Sequence, residues 1–173
     1  FLALMDLRSL ISAALLSTLI TGCALFKPPI EPGMTSEQVY IAMGNPSAVY
    51  PDGKGGRVLE WPTNDYSQYA YMAEMNANGQ VVWYGNVRTE KRFAQIKINR
   101  STKEDVLRTI GHPSEAEYLA LRKQEVWSYR YKEEGIWNSM MHFYFNANGI
   151  VTHMEKGMDD LDLRDGRGFF GRL

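Results

Sequence analysis

A thirteen-residue stretch occurs twice in this chain, and this duplication restricts the possible folds more than any other feature. The copies run over residues 35–47 and 102–114, and Thr, Glu, Val, Gly, Pro and Ser stand at the same six places in both. In each copy the Thr is suited to cap a helix, and the Gly-x-Pro sequence is suited to end it. The sequence therefore predicts two short helices that start 67 residues apart (35 to 102).

The predicted helix ends and hairpin turns need capping side chains or backbone conformations that few residue types can supply. These structural residues are Thr35, Gly44, Pro46, Thr102, Gly111, Pro113, Gly79 and Gly149. We expect Gln38 and Asp105 to reach back to the Thr caps and complete capping boxes. We expect Gly44 and Gly111 to adopt the left-handed conformation that closes the last turn of a helix.

Each predicted helix is followed by short aromatic and β-branched runs that are typical of strands. Asn-Ala-Asn-Gly stands between two such runs at 76–79 and again at 146–149, and Asn-Gly is a strong hairpin signal. We predict an α+β fold of two tandem repeats, each with one or two short helices packed on a small antiparallel β-meander of three to four strands. The expected modules are 30–95 and 96–157. The turn at Gly149 could be a two-residue type I′ loop or a type I turn with a glycine bulge.

Both ends of the chain are expected to lie outside these modules. Residues 1–22 are typical of a secretory signal peptide with Met5 as its natural start, because a short charged lead precedes an apolar run of about a dozen residues. Residues 23–29 include Lys27-Pro28-Pro29, which predicts a short stiff tether. Residues 158–173 mix Gly with charged residues, which predicts a flexible tail.

Cys23 is the only cysteine of the chain, so it has no internal disulfide partner. The sequence Ile20-Thr21-Gly22-Cys23 resembles the lipobox of bacterial lipoproteins. That resemblance implies a mature chain that begins at Cys23, carries acyl chains such as palmitate, and is held by outer-membrane lipid on the periplasmic side. Ala24 supports the outer membrane, because an Asp there would favour inner-membrane retention. The alternative is an ordinary signal or uncleaved anchor with an incidental cysteine.

The charge and the histidines exclude several functional classes. With 19 basic and 20 acidic residues the net charge is −1, so there is no electrostatic footprint for nucleic acid. The chain has no metal-ligand spacing and no nucleophile motif, so we expect no metal, no cofactor and no catalytic residue. His142 and His153 lie on two strands of one predicted hairpin and could come close. A hydrolase that uses either of them is the least favoured class.

The combination of motifs resembles the BamE (SmpA/OmlA) family of outer-membrane lipoproteins. The opener Pro32-Gly33-Met34-Thr35, continued by Gln38-Val39 and Met43-Gly44-x-Pro46, is clearest in the first copy. Trp127-x-Tyr129 and the hairpin Phe145 to Val151 are clearest in the second copy. The resemblance implies helices on a three-stranded antiparallel sheet, no enzyme activity, and a scaffold role in the β-barrel assembly machinery. Members with that role usually have one module, whereas this chain has two.

A second functional class comes from another resemblance. Tandem modules of similar architecture occur in secreted β-lactamase inhibitory proteins, so an inhibitor or regulator of a periplasmic enzyme is the alternative. In either class the candidate partner-binding residues are aromatic. They are Trp137, Tyr66, Trp127, Tyr129 and Tyr131. Trp137 and Tyr66 stand in polar connections, whereas the other three alternate on one strand, where their face could be either core or binding surface.

Overall fold

A computed structural model describes residues 29–61 and 63–161 of the chain. The predicted signal peptide, Cys23, the tether up to residue 28 and the tail beyond residue 161 lie outside the described residues. The helices are α1 (Ser36–Met43), α2 (Glu90–Phe93) and α3 (Lys103–Ile110). The first four strands are β1 (Ala48–Pro51), β2 (Arg57–Glu60), β3 (Tyr71–Met75) and β4 (Val81–Asn86). The last four are β5 (Glu115–Leu119), β6 (Gln124–Glu133), β7 (Trp137–Phe145) and β8 (Val151–Met158).

The strands form two four-stranded antiparallel sheets, and this confirms the predicted α+β fold. Sheet 1 has the order β1-β2-β3-β4 and sheet 2 has the order β5-β6-β7-β8. Each sheet is a meander whose strands pair with their sequence neighbours, and each is preceded by one of the duplicated helices.

The duplicated helices begin as the sequence predicts. The side chains of Thr35 and Thr102 accept a hydrogen bond from the backbone N–H three residues on. The side chains of Gln38 and Asp105 in turn accept a bond from the backbone N–H of the capping Thr. Gly44 and Gly111 have φ of 82° and 75°, but their ψ values of −173° and −164° place them outside the left-handed helical region. The expected left-handed closure was therefore wrong in ψ, and the observed conformation is one that glycine alone adopts readily.

Two structural details occur at the same place in both copies. The indole N–H of Trp61 donates to the carbonyl of Gly44 over 3.0 Å, and the hydroxyl of Tyr129 donates to the carbonyl of Gly111 over 3.0 Å. In both sheets the third strand contains a register shift directly before the hairpin turn, between Glu74 and Met75 in β3 and at the same place in β7. The repeat is therefore one of three-dimensional structure as well as sequence.

Both Asn-Ala-Asn-Gly hairpins use the longer of the two turns that the sequence left open. The N–H groups of Gly79 and Gly149 donate to the carbonyls of Asn76 and Asn146, three residues earlier. The two glycines have φ of 75° and 72°, and the Asn side chains accept bonds from two N–H groups of their own turns. This is a type I turn followed by a glycine bulge.

Each sheet packs one face on its own helix. Val39 of α1 lies in a core with Leu59, Ala73, Met75 and Val81 of sheet 1. The larger second core joins α2 and α3 to sheet 2 and contains ten buried residues. They are Phe93, Ile96, Val106, Ile110, Trp127, Tyr129, Tyr131, Phe143, Phe145 and Val151. Phe93 precedes the expected start of the second module at 96 and nevertheless packs in the second core.

Two local expectations are corrected by the structure. The segment from Lys132 to Asn138 was expected to be a polar loop, but β6 and β7 continue to Glu133 and from Trp137, with Glu133 paired to Trp137. The flexible tail was expected from residue 158, but Met158 belongs to β8 and Asp159 is buried. The second hairpin is longer than expected because Glu134 and Gly135, with φ of 50° and 75°, form a tight turn directly after Glu133.

Gly44 and Gly111 provide a matched pair of substitutions. A Cβ at Gly44 would meet nothing within 4 Å, whereas a Cβ at Gly111 would lie 2.6 Å from Oε1 of Glu60. Gly44→Ala should therefore cost only backbone strain of about 1–3 kcal/mol. Gly111→Ala should lower the free energy of unfolding, measured in urea, by about 1 kcal/mol more. If the excess does not shrink in a Glu60→Ala background, the contact with Glu60 is not its cause.

Candidate partner-binding surface and the junction of the two sheets

The aromatic strand of sheet 2 belongs to the core. Tyr129 and Tyr131 have no exposed surface, and Trp127 is 8% exposed. Their rings pack edge-on against Phe143, Phe93 and Phe145, with centroids 4.7–5.5 Å apart. The hypothesis that these three residues form a binding surface is therefore wrong, because α2 and α3 cover that face. The reading of the same alternation as core is the correct one.

Trp137 and Tyr66 are both exposed, but the structure does not give them equivalent positions. Trp137 is the first residue of β7 and is 44% exposed, whereas Tyr66 lies in the loop between β2 and β3 and is 69% exposed. Ile136 and Met158 are also exposed, and Met158 pairs with Ser139, two residues from Trp137 on the same face of β7. We call Ile136, Trp137 and Met158 the Trp137 patch. It lies beside the turn that closes the long hairpin of β6 and β7, next to the ion pair of Lys156 and Glu133.

The loop that carries Tyr66 is held by two buried arginines. Arg88, in the segment after β4, donates to the carbonyl of Ser67 and to Oγ of Ser114. Arg130 of β6 donates from Nε to the carbonyl of Asp65 over 3.2 Å. The backbone of the loop that carries Tyr66 is therefore held by Arg88, which follows sheet 1, and by Arg130, which belongs to sheet 2.

Arg130 also gathers three carboxylates around one guanidinium. It forms ion pairs with Glu115, Asp159 and Asp160, and both Arg130 and Asp159 are almost completely buried. The charge-assisted hydrogen bond from Arg130 lowers the pKa of the Asp160 carboxyl, although burial opposes this. Removal of one member of such a buried set leaves an uncompensated charge, so this cluster fixes the residues that follow β8 against sheet 2.

Glu60 joins the two copies through a buried carboxylate. Its Oε1 accepts a bond from the backbone N–H of His112 over 2.8 Å, and its Oε2 lies 2.9 Å from Nδ1 of His112. Oε2 also accepts a bond from the hydroxyl of Tyr50. Burial, and then this hydrogen bond, raise the pKa of Tyr50, so the phenol stays protonated and continues to donate. A carboxylate from sheet 1 thus satisfies the first backbone donor after the glycine that ends α3.

A cavity of 340 Å³ opens at this junction. It is lined by Ser47, Glu60, Thr63, Asp65, Arg88, His112 and Pro113. The lining carries the buried carboxylate of Glu60 and the buried guanidinium of Arg88. The lining histidine, His112, is bonded to Tyr50 and Glu60 and not to a serine or threonine of the lining that it could activate as a nucleophile. The geometry fits a structural junction between the copies.

The two histidines of the second hairpin do not face each other. His142 pairs with Glu155 and its Nδ1 lies 2.7 Å from Oγ of Ser128, whereas His153 pairs with Tyr144 and has its ring centroid 5.3 Å from that of Tyr144. Burial lowers the pKa of His142. Residues 29–61 and 63–161 contain no group of three His, Cys, Asp or Glu residues that could hold a metal ion.

Sequence reasoning missed Glu60, Arg88, Arg130 and Asp159 because their importance depends on contacts between distant segments. One signal was available for Arg130, since it stands on the alternate face of an aromatic strand where a charged residue needs a partner. The sequence contains no comparable signal for Arg88, which lies in a connection where solvent exposure is the ordinary state.

Residues 85–155 match the model of the outer membrane protein assembly factor BamE domain. These 71 of 173 residues start at the end of β4 and include α2, α3, β5, β6 and β7. The match supports a BamE-like family for this part of the chain and, with it, outer-membrane association and a protein-binding role related to outer-membrane assembly. The matched family is a non-catalytic accessory family.

Other comparisons add little. No curated protein matches the chain. A crystal structure of a provisionally named β-lactamase inhibitor protein from Streptococcus mutans is similar at 15% identity, over 84% of this chain and 95% of that chain, with a TM-score of 0.30. Within the described part of the chain, no helix is both long and apolar enough to cross a membrane.

The lowered pKa of His142 predicts a pH dependence with a definite sign. A histidine that is harder to protonate when folded stabilises the protein above its unfolded pKa, about 6.5, and that contribution is lost as pH falls below it. The position equivalent to His142 in sheet 1 is occupied by Met72. His142→Met should therefore be tolerated, and it should make the unfolding free energy fall less steeply between about pH 7.5 and about pH 5.5. His153→Met is the matched control, since its side chain is 59% exposed. An unchanged slope in His142→Met would contradict the assignment.

Proposed function

We propose that this protein is an outer-membrane lipoprotein, anchored through acylated Cys23 and facing the periplasm, that acts as a non-catalytic scaffold in outer-membrane protein assembly. The observation that carries the proposal is the BamE match over residues 85–155, which contains Trp137 and most of the Trp137 patch. An exposed tryptophan at the end of a rigid hairpin is typical of the anchor residues that dominate protein interfaces.

We further propose that the first copy is a diverged module of the same family, although the match begins only at residue 85. The repeated capping boxes, the repeated bonds to Gly44 and Gly111, and the repeated glycine-bulge turns support common descent of the two copies. The copies differ where the first meets the second. There Glu60 binds His112, whereas Ser128 at the equivalent position binds His142 of its own sheet.

The proposed partner is another protein of the outer-membrane assembly machinery. The two exposed rings are suited to this role in different ways. Trp137 lies on a strand and is pre-oriented, and Tyr66 lies on a loop whose backbone is bonded to Arg88 and Arg130. Presentation on a fixed backbone lowers the entropy lost on binding, so both positions are suited to recognition of a folded partner.

The anchor is tested by Cys23→Ser. Without the acylated residue the lipid anchor is lost, so the variant should no longer fractionate with outer membrane and should keep an unchanged circular dichroism spectrum. The wild-type chain should fractionate with outer membrane. Equal membrane association of both proteins would refute the lipid anchor.

The binding surface is tested by Trp137→Ala in the full lipoprotein. Truncation of an interface anchor typically costs about 2 kcal/mol or more of binding, which is roughly a thirtyfold loss of affinity. The variant should lose partner capture after crosslinking in membranes and should keep its melting midpoint, because the ring is at the end of the sheet. Tyr118→Ala, which removes an exposed ring from β5, is the control and should keep capture. Recovery of assembly-machinery components supports the proposal, and recovery of a soluble periplasmic enzyme alone would refute it.

A further inference from the structure

Sheet 1 has both of its faces covered, and the second face is covered by helices that belong to the second copy. We call the face opposite a sheet's own helix its back face. On the back face of sheet 1, Arg92 of α2 forms a 2.7 Å ion pair with Glu74 and places its guanidinium carbon 3.8 Å from the ring centroid of Trp83. Val58 and Met72 on the same face are buried. The back face of one module is thus a docking surface for an arginine-bearing helix.

The equivalent surface of sheet 2 can be assigned residue by residue. In sheet 1 the pair Glu74 and Trp83 is the last one before the register shift that precedes the hairpin turn. In sheet 2 the pair at the same place is Tyr144 and His153. The serine before the first strand of each sheet gives a second reference point, since Ser47 donates to the carbonyl of Glu60 and Ser114 donates to that of Ser128.

The back face of sheet 2 retains the chemistry that holds Arg92 on sheet 1. Tyr144 and His153 offer two adjacent rings, and Tyr144 donates from its hydroxyl to Oε2 of Glu155 over 3.1 Å. Glu155 therefore provides a carboxylate beside the rings, as Glu74 does beside Trp83. The side chains of His153 and Glu155 are 59% and 58% exposed, and Glu117 at the sheet edge is also exposed.

Only part of this back face is covered by the chain itself. Arg130 and Met140 are buried, and Arg130 is bonded to Asp65 and to the residues that follow β8. The covered end is therefore the end that holds the Tyr66 loop. The open end is the one where the rings and the two glutamates lie, and it is the counterpart of the region that Arg92 occupies on sheet 1.

We propose that the surface formed by Glu117, Tyr144, His153 and Glu155, the Tyr144 face, binds a short helix of a partner protein through an arginine. The guanidinium would lie over the rings and pair with Glu155, in the arrangement that Arg92 makes with Trp83 and Glu74. Arginine fits better than lysine, because its planar group stacks on a ring and pairs with a carboxylate at the same time. This inference rests on the proposed function and specifies the chemistry of the partner.

The test uses the full lipoprotein in cells, with the photo-crosslinker p-benzoylphenylalanine at position 117 or at position 118. These neighbours point to opposite faces of β5, so position 118 is a matched control. The inference requires crosslinks at 117 but not at 118, to a partner segment that contains an arginine on a helix. A second variant, Glu155→Arg, should reduce the yield at 117 about tenfold, and replacement of the partner's arginine by glutamate should restore it.

Other outcomes separate this inference from the proposed function. If position 117 gives no crosslink while Trp137→Ala still abolishes capture, the Tyr144 face is not a docking surface and the proposed function stands. Crosslinks from 117 to a second copy of this chain, or to a segment without arginine, also overturn the inference. Crosslinks at 117 to an arginine-bearing helix of a soluble enzyme would support the docking chemistry and refute the assembly role. A normal melting midpoint for Glu155→Arg excludes unfolding as the cause of a loss.

Discussion

The buried carboxylate of Glu60 is the contact on which the joining of the two copies depends. A carboxylate that is removed from water needs several donors, and Glu60 finds them in the hydroxyl of Tyr50 and in the backbone and ring of His112. Because one donor belongs to the turn that ends α3, the position of α3 relative to sheet 1 is set by a charged hydrogen bond as well as by packing. The absence of a side chain at Gly111 allows that approach.

The same scaffold has acquired different surfaces in its two copies. Both sheets use an aromatic donor to the carbonyl of the glycine after their helix, Trp61 in one and Tyr129 in the other. The position of Glu60 is taken in the second sheet by Ser128, whose hydroxyl meets a half-buried histidine within the same sheet. The same position therefore makes a contact between copies in sheet 1 and a contact within the sheet in sheet 2.

Local features of this fold were predictable from sequence, and long-range ones were not. Caps and hairpin turns depend on residues within a few positions of one another, so Thr35 and Thr102 indicated the caps directly. Gly79 and Gly149 indicated the turns, although they left the turn type open. The alternation of Trp127, Tyr129 and Tyr131 gave two possible faces, and only the position of α2 and α3 decides between them. The burial of Arg88 and Arg130 depends on the path of the loop that contains Asp65, and no local pattern encodes that path.

The layer formed by α2 and α3 serves two sheets at once, and this has a consequence for the order in which the chain becomes protected. All four strands of sheet 1 are complete by Asn86, but Arg92 and His112, which cover its back face, come later in the chain. In a chain that is synthesised from its N-terminus, Val58 and Met72 stay accessible until the following 26 residues (87 to 112) have emerged. The back face of sheet 1 is therefore an exposed hydrophobic surface until α2 and α3 pack on it.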